Sequence, residues 1–338
     1  MTKKRRTLNL ALQGGGAHGA FTWGVLDRLL EEDWLDIEGI SGTSAGAMNA
    51  AALAAGWTRG GREGAREHLH AFWQRISGAA AFSPIQRTPL DHLFYGWNMD
   101  LSPAYHGVMA LSRTVSPYQL NPMNINPLRD ILEEMIDFPS LSRCTALKLF
   151  ISATNVHTGK VRVFQCGELT PDVLMASACQ PDMFQAVEID GESYWDGGYM
   201  GNPSIYPLIY NCRSPDVAVV QINPFHRPET PTTAHEIRNR ITEISFNASL
   251  MKEMRAINFV GKLIDKEGLD PKKYKRLNMH LIEAEEHMKG LGVSSKLNAD
   301  WDFLVHLRDI GRETAAGWLK LNGRRIGVES TMDIERYL

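Results

Sequence analysis

Three glycine-rich stretches hold the residues whose types and spacing suit chemistry: Gly14-Gly15-Gly16-Ala17-His18-Gly19, Gly42-Thr43-Ser44-Ala45-Gly46 and Asp196-Gly197-Gly198. A serine with glycines two residues to either side, set between a strand and a helix, describes a sharp turn that lifts one hydroxyl clear of a sheet. The glycines are needed because the turn is strained and neighbouring backbone passes close to it. Such a serine also opens the next helix, where unpaired N–H groups and the helix dipole favour negative charge. The same pentapeptide fits an ordinary Gly-Ser turn before a buried Ala-rich helix, so the rest of the chain decides. Asp196 ends a β-like run, Tyr194-Trp195-Asp196, before two glycines. Its carboxylate can project from a loop beside Ser44, although Asp-Gly-Gly is also a common turn.

The first stretch admits two functions. Gly14-x-Gly16-x-x-Gly19 satisfies the dinucleotide fingerprint, between a strand and a helix as that motif requires. A dinucleotide site also needs an acidic residue about 20 positions on, at the end of the second strand. Here the second strand, 37–41, runs straight into the serine turn, and Glu38 lies at its start, the wrong end. The other reading is an oxyanion hole. Consecutive glycines let several backbone N–H groups converge on one point, and acyl transfer from a serine develops negative charge there. Fixed donors aimed at that charge are worth about 10²–10³ in rate each. Both loops would lie at the carboxyl ends of parallel strands, where open α/β sheets place their sites.

The positioning elements follow from periodicity. Residues 7–13 alternate apolar and polar and predict a strand. Phe21, Val25 and Leu29, with Leu26 and Leu30 beside them, predict a helix through Glu32. Residues 45–55 are nearly all small, suiting a helix that packs its backbone closely, with Gly56 as its stop. A second helix is expected over 59–77; His68 and His70 on it lack a carboxylate or thiol at metal-ligand spacing and read as surface or packing residues. From 78 to 127 proline becomes frequent and Leu93, Phe94, Tyr95, Trp97, Met99, Leu101, Tyr105, Met109 and Leu111 cluster. That segment can wall an acyl-chain pocket, cap one, or pack as a core insertion. Asn126-Pro127 opens a helix through Ile136 as N-cap and first residue. Strands are expected at 146–153 and 160–165 as a hairpin, then at 184–189, 217–223 and 276–283, with a short helix over 171–179. Thr233-x-x-Glu236 is a capping box before a long helical stripe, and 299–321 is a last amphipathic helix.

The whole is expected to be one α/β domain over 7–338: a motif-bearing core over 7–224, the insertion at 78–127, and a helical C-terminal part over 230–338. A formal net charge of −3 gives no global attraction to nucleic acid, which is not expected as a partner. Cys144, Cys166, Cys179 and Cys212 show no C-x-x-C spacing, which points to a reducing compartment, the cytoplasm. Lys3-Lys4-Arg5-Arg6 precedes no apolar core of signal-peptide length and reads as a solvated tail. No run of about 20 apolar residues is present, so no membrane span is expected. The basic residues Lys262, Lys266, Lys272, Lys273, Lys275 and Arg276 read as a solvated face, with attachment to an anionic membrane surface left open.

With the three glycine stretches taken together, the sequence resembles the patatin-like phospholipase family. The matching residues are Gly14-Gly15-Gly16-x-x-Gly19 with Gly24-Val25-Leu26 downstream, Gly42-Thr43-Ser44-Ala45-Gly46, and Asp196-Gly197-Gly198, in the family's order and spacing. The resemblance implies a three-layer α/β/α fold with a mostly parallel central sheet. It implies a Ser–Asp dyad, with Ser44 as nucleophile and Asp196 as general base, and an oxyanion hole from the amides of Gly14, Gly15, Gly16 and Ala17. It implies action on lipid acyl esters with no metal or other cofactor; phospholipid, lysophospholipid, neutral-lipid and acyl-thioester substrates stay unseparated. His226, His235, His280, His287 and His306 follow Asp196, but none lies on a strand-end loop of the kind that carries Ser44 and Asp196. His18 stands where the family usually carries Arg, a residue able to clamp a phosphate or brace the loop.

Overall fold

The computed structural model describes residues 5–227, 229–270 and 273–338; Lys3, Lys4 and Lys272 of the two basic stretches, and the side chain of His235, lie outside the described set. The strands are β1 (Arg6–Leu12), β2 (Leu35–Gly42), β3 (Lys148–Asn155), β4 (Val161–Gln165), β5 (Val187–Ile189), β6 (Glu192–Asp196), β7 (Asp216–Val220) and β8 (Asn278–Ile282). They form one eight-stranded sheet paired β5–β6–β3–β2–β1–β7–β8, with β4 also on β3. The pairs among β3, β2, β1, β7 and β8 are parallel, and β4, β5 and β6 join antiparallel. Residues 8–12 of β1 and all of β7 are buried, as central parallel strands covered on both faces must be. One face carries Phe21, Leu26, Leu53, Phe72 and Leu304, and the other Phe150, Leu208, Leu250 and Met254, which makes three layers.

The first helix, α1 (Gly19–Leu30), follows the glycine loop and packs under the C-terminal helix Trp301–Asn322. The second, α2 (Ala45–Ala80), corrects the expectation that Gly56 ends it. Helical geometry breaks instead at Gly60 (φ −154°, ψ 27°) and Gly61 (φ 58°, ψ −138°). Gly56 stays helical and lets the returning half approach: a Cβ there would meet the Gly64 carbonyl and lie 2.6 Å from His68 Cβ. The glycine signal was real but recorded close packing rather than a left-handed stop.

The 78–127 insertion forms three short helices, Pro89–Phe94, Pro103–Leu111 and Pro117–Leu120, each opened by Pro after Thr88, Ser102 or Ser116. Its apolar residues divide. Met99 and Tyr105 are buried and Trp97 stacks on Phe303 at 5.1 Å, whereas Phe82, Leu93, Phe94 and Met123 are largely exposed. Helix Pro127–Met135 is capped by the Asn126 side chain, and helix Ala234–Glu267 by the Thr233/Glu236 box. In the basic stretch Lys262 pairs with Glu335 at 2.6 Å, Arg276 with Asp265 at 2.8 Å, and Lys275 donates to the Ile209 carbonyl at 2.9 Å. Those three charges are engaged within the fold. Among the described residues no helix is long and apolar enough to cross a membrane.

Candidate active site

Ser44 lies between β2 and α2 with φ 53° and ψ −122°, a conformation that β-carbon sterics disfavour for any residue but glycine. The surrounding bonds over-determine it. The Gly46 N–H donates to the Thr43 carbonyl at 2.8 Å, the Met48 N–H to the Ser44 carbonyl at 3.0 Å, and the Thr43 hydroxyl to the Gly201 carbonyl at 2.6 Å. The Ser44 N–H donates to Ser177 Oγ at 2.9 Å, and Ser177 donates in turn to the Ser152 carbonyl at 2.7 Å. Ser177 escaped the sequence reading; its signal was one hydroxyl at the end of the apolar run Val173–Ala176 in helix Pro171–Ser177.

Asp196 reaches Ser44 through strand geometry. β4 holds one edge of β3 from Phe150 to Thr154, so β6, which pairs with Ala153–Asn155, must use the other edge. That edge is where β2 pairs, up to Ile151. β6 therefore meets the carboxyl end of β2 head-on, and its last residue arrives at the turn β2 leads into. The carboxylate is fully buried. It accepts from the Gly198 N–H at 2.7 Å and Gln180 Nε2 at 2.9 Å, and the Ser44 side chain lies near enough to favour its charged form. Burial pushes the Asp196 carboxyl up to about 6, against the pull of the Gly198 N–H, Ser44, Gln180 and the charge of Lys296. Of the two other titratable groups that face it, burial holds Cys179 and Tyr199 each at about 12.

The glycine loop touches the serine: a Cβ on Gly14 would stand 2.7 Å from Ser44 Cβ. The Gly14 N–H, expected among the oxyanion donors, is taken by Asn202 Oδ1 at 2.6 Å. Among the described residues the N–H groups of Gly15, Gly16 and Ala17 have no such partner, and they sit at the start of the turn Gly16–His18 that leads into α1. Gln13 anchors the loop from behind, accepting from the Ile222 and Asn223 N–H groups at 2.9 Å and donating to Asn247 at 3.1 Å. Asn202, Gln13, Asn223 and Asn247 were not among the expected site residues, because no periodicity marks a buried amide whose partners lie about 200 positions away.

His18 is buried and braces the loop. Ser295 spends its proton on the Gly292 carbonyl at 2.8 Å, so the 2.8 Å bond between His18 and Ser295 must carry a proton on His18 Nε2. Burial, then the charges of Lys296 and Arg227, hold His18 well below its ordinary range and neutral. No histidine among the described residues hydrogen-bonds Ser44 or Asp196. His280 instead pairs with Asp216 at 3.0 Å, at the β7–β8 pairing. Nor do three His, Cys, Asp or Glu side chains converge as a metal-binding group among the described residues. Glu38 accepts from the Arg213 and Ser214 N–H groups and from Lys148, each at 2.9 Å, at the amino end of the sheet. It is therefore not placed to hold a ribose beside the glycine loop. A cavity of about 650 Å³ opens at that same end, lined by Arg6, Glu38, Lys148 and Asp216. That cavity lies at the opposite end of the sheet from Ser44, whereas the strained serine and buried carboxylate lie where open α/β sheets carry sites.

The profile of the family described as patatin-like phospholipase matches residues 10–209. Among solved structures the chain is similar to VipD from Legionella pneumophila, at 16% identity over 91% of this chain and 67% of that one, TM-score 0.35. It is also similar to the ExoU–SpcU complex from the type III secretion system of Pseudomonas aeruginosa, at 17% identity over 96% of this chain, TM-score 0.39. The chain spans 53% of the length of that matched chain. No curated protein sequence matches it.

Proposed function

The chain belongs to the patatin-like phospholipase family, and from that premise we propose that it cleaves fatty-acyl esters of lipids with Ser44 as nucleophile and Asp196 as general base. The observation that carries the reading is the juxtaposition of the strained Ser44 with a fully buried carboxylate that its side chain helps to keep charged, beside a glycine loop whose Gly15, Gly16 and Ala17 amides are without a partner among the described residues. As Ser44 Oγ attacks the acyl carbon, its proton passes to Asp196. The former carbonyl oxygen takes up negative charge, which the N–H groups of Gly15, Gly16 and Ala17 stabilise. Collapse expels the alcohol with the proton from Asp196 and leaves the acyl group on Ser44. Water then attacks, Asp196 again takes a proton, and the fatty acid leaves. Asp196 must be ionised to begin. Fatty-acid release from a mixed lipid extract, followed by mass spectrometry, is therefore expected to rise as pH increases through about 6. Lipids left intact, or release unchanged from pH 5 to pH 8, would sink the assignment. The same masses separate phospholipid, lysophospholipid, neutral-lipid and acyl-thioester substrates, all of which this dyad can serve.

The insertion supplies contact with the lipid surface. Phe82, Leu93, Phe94 and Met123 are 92%, 71%, 68% and 80% exposed. Residues 82–125 carry only Arg87, Asp91, Asp100 and Arg113 as charges, which cancel, so the face suits an apolar interface rather than electrostatic attraction. Burying a Leu or Phe side chain contributes about 1.5–3 kcal/mol. The double variant Leu93→Asp/Phe94→Asp is expected to lower partition onto phosphatidylcholine vesicles by about 10²-fold or more. Its hydrolysis of a soluble short-chain ester should stay within about twofold, since surface changes away from a site rarely act on it. Vesicle binding as tight as wild type would remove the insertion from this role.

A further inference from the structure

The helical turn Ser294–Leu297, beyond the part of the chain matched by the family profile, grips the glycine loop at three points. Ser295 bonds His18 at 2.8 Å. The Lys296 carbonyl sits where a Cβ on Gly16 would be, and Gly16, at φ 58°, is left-handed as well. Lys296 Nζ donates to Asn223 Oδ1 at 2.7 Å, and Asn223 Nδ2 donates to the Gly14 carbonyl at 2.8 Å. Part of Lys296 reaches the surface, but its amine is turned inward to this network.

Taking Ser44, Asp196 and the loop amides in the roles given above, we propose that Lys296 is a positioning residue for this hydrolysis. Through Asn223 it fixes the Gly14 end of the loop, and its enclosed positive charge favours the carboxylate of Asp196 and the oxyanion over their neutral forms. The charges around it support this balance. Glu243 on helix Ala234–Glu267 is shared by Arg227 at 2.8 Å and Arg240 at 3.1 Å, so it does not neutralise Lys296 alone. Burial brings the Lys296 amine down to about 8, with the Arg227 charge acting the same way and Glu243 and Asp196 opposing. His18, on the loop itself, is neutral at that pH, and Cys179 and Tyr199 titrate far above it.

The test is the pH dependence of kcat/KM of the full chain on a soluble short-chain ester, followed by released acid. Wild type should show a bell, with an acid limb near 6 from Asp196 and a basic limb near 8 from Lys296. Lys296→Arg, which stays charged, should keep the acid limb and lose the basic one. Lys296→Met should lower kcat about 10- to 100-fold with KM within about threefold, and move the acid limb to higher pH. A basic limb that persists in Lys296→Arg, or an acid limb unmoved in Lys296→Met, overturns the role. The arginine comparison decides even if the methionine variant does not fold. Activity surviving in Ser44→Ala would instead overturn the dyad on which this rests, while an inactive Ser44→Ala beside unaltered lysine variants would overturn the lysine role alone.

Discussion

Ser44→Ala is expected to abolish ester hydrolysis, by at least about 10⁴-fold in kcat, because in the proposed mechanism the acyl group is carried on the Ser44 oxygen. The loss should come without collapse of the fold. Alanine meets the same steric objection at φ 53° that serine already meets, and the bonds that hold the turn come from the Ser44 N–H and carbonyl, which the substitution leaves in place. Melting temperature should therefore stay within about 3 °C of wild type. A fluorophosphonate probe reports the same atom from another direction: it should label wild type at Ser44 and leave Ser44→Ala unlabelled. Label carried by another serine of the variant would move the nucleophile elsewhere, and full activity in the variant would end the dyad.

How much of this was legible in the sequence depends on how local the cause was. The serine turn was readable because its strain is met within five residues, Gly42 to Gly46, and the hydrophobic periods on either side fixed the strand and helix that flank it. Helix caps at Thr233 and Asn126 were readable for the same reason, since each closes a bond within three residues. Gly56 misled because a glycine that admits a neighbouring backbone and a glycine that ends a helix are the same letter. The apolar run of the insertion was visible, but its division between buried Tyr105 and exposed Phe94 depends on which elements arrive to cover it. Asn202, Gln180, Asn223 and Lys296 were invisible. Each acts on a group outside its own element, and a lone polar residue carries no period that foretells its partner. The meeting of Asp196 with Ser44 lies between these cases. Nothing local joins them, and it takes the two-edged geometry of β3 to bring β6 end to end with β2.

Asp196→Asn tests that meeting, because the catalytic and structural consequences have opposite signs. An amide cannot accept the serine proton, so hydrolysis should fall about 10³- to 10⁴-fold, close to the loss in Ser44→Ala. Stability should move the other way. The wild-type carboxyl titrates near 6 when folded, against 3.8 ordinarily, so keeping it ionised in the folded protein is unfavourable by roughly 3 kcal/mol at neutral pH. Asparagine removes that charge while its carbonyl can still accept from the Gly198 N–H. Its amide, however, meets the donor of Gln180 unless that side-chain amide turns over, and losing or rebuilding this bond offsets part of the gain. A net rise of about 1–2 kcal/mol, a few degrees in melting temperature, is the expected balance. The sign with pH follows from linkage. Between 3.8 and about 6 the folded wild type binds a proton that the unfolded chain does not, so lowering pH through 6 restores wild-type stability. The advantage of the variant should thus be full above pH 6 and shrink toward pH 4. A variant that loses activity and also melts well below wild type at pH 7 would mark Asp196 as a structural anchor of the β6 end, and the serine would then need another base.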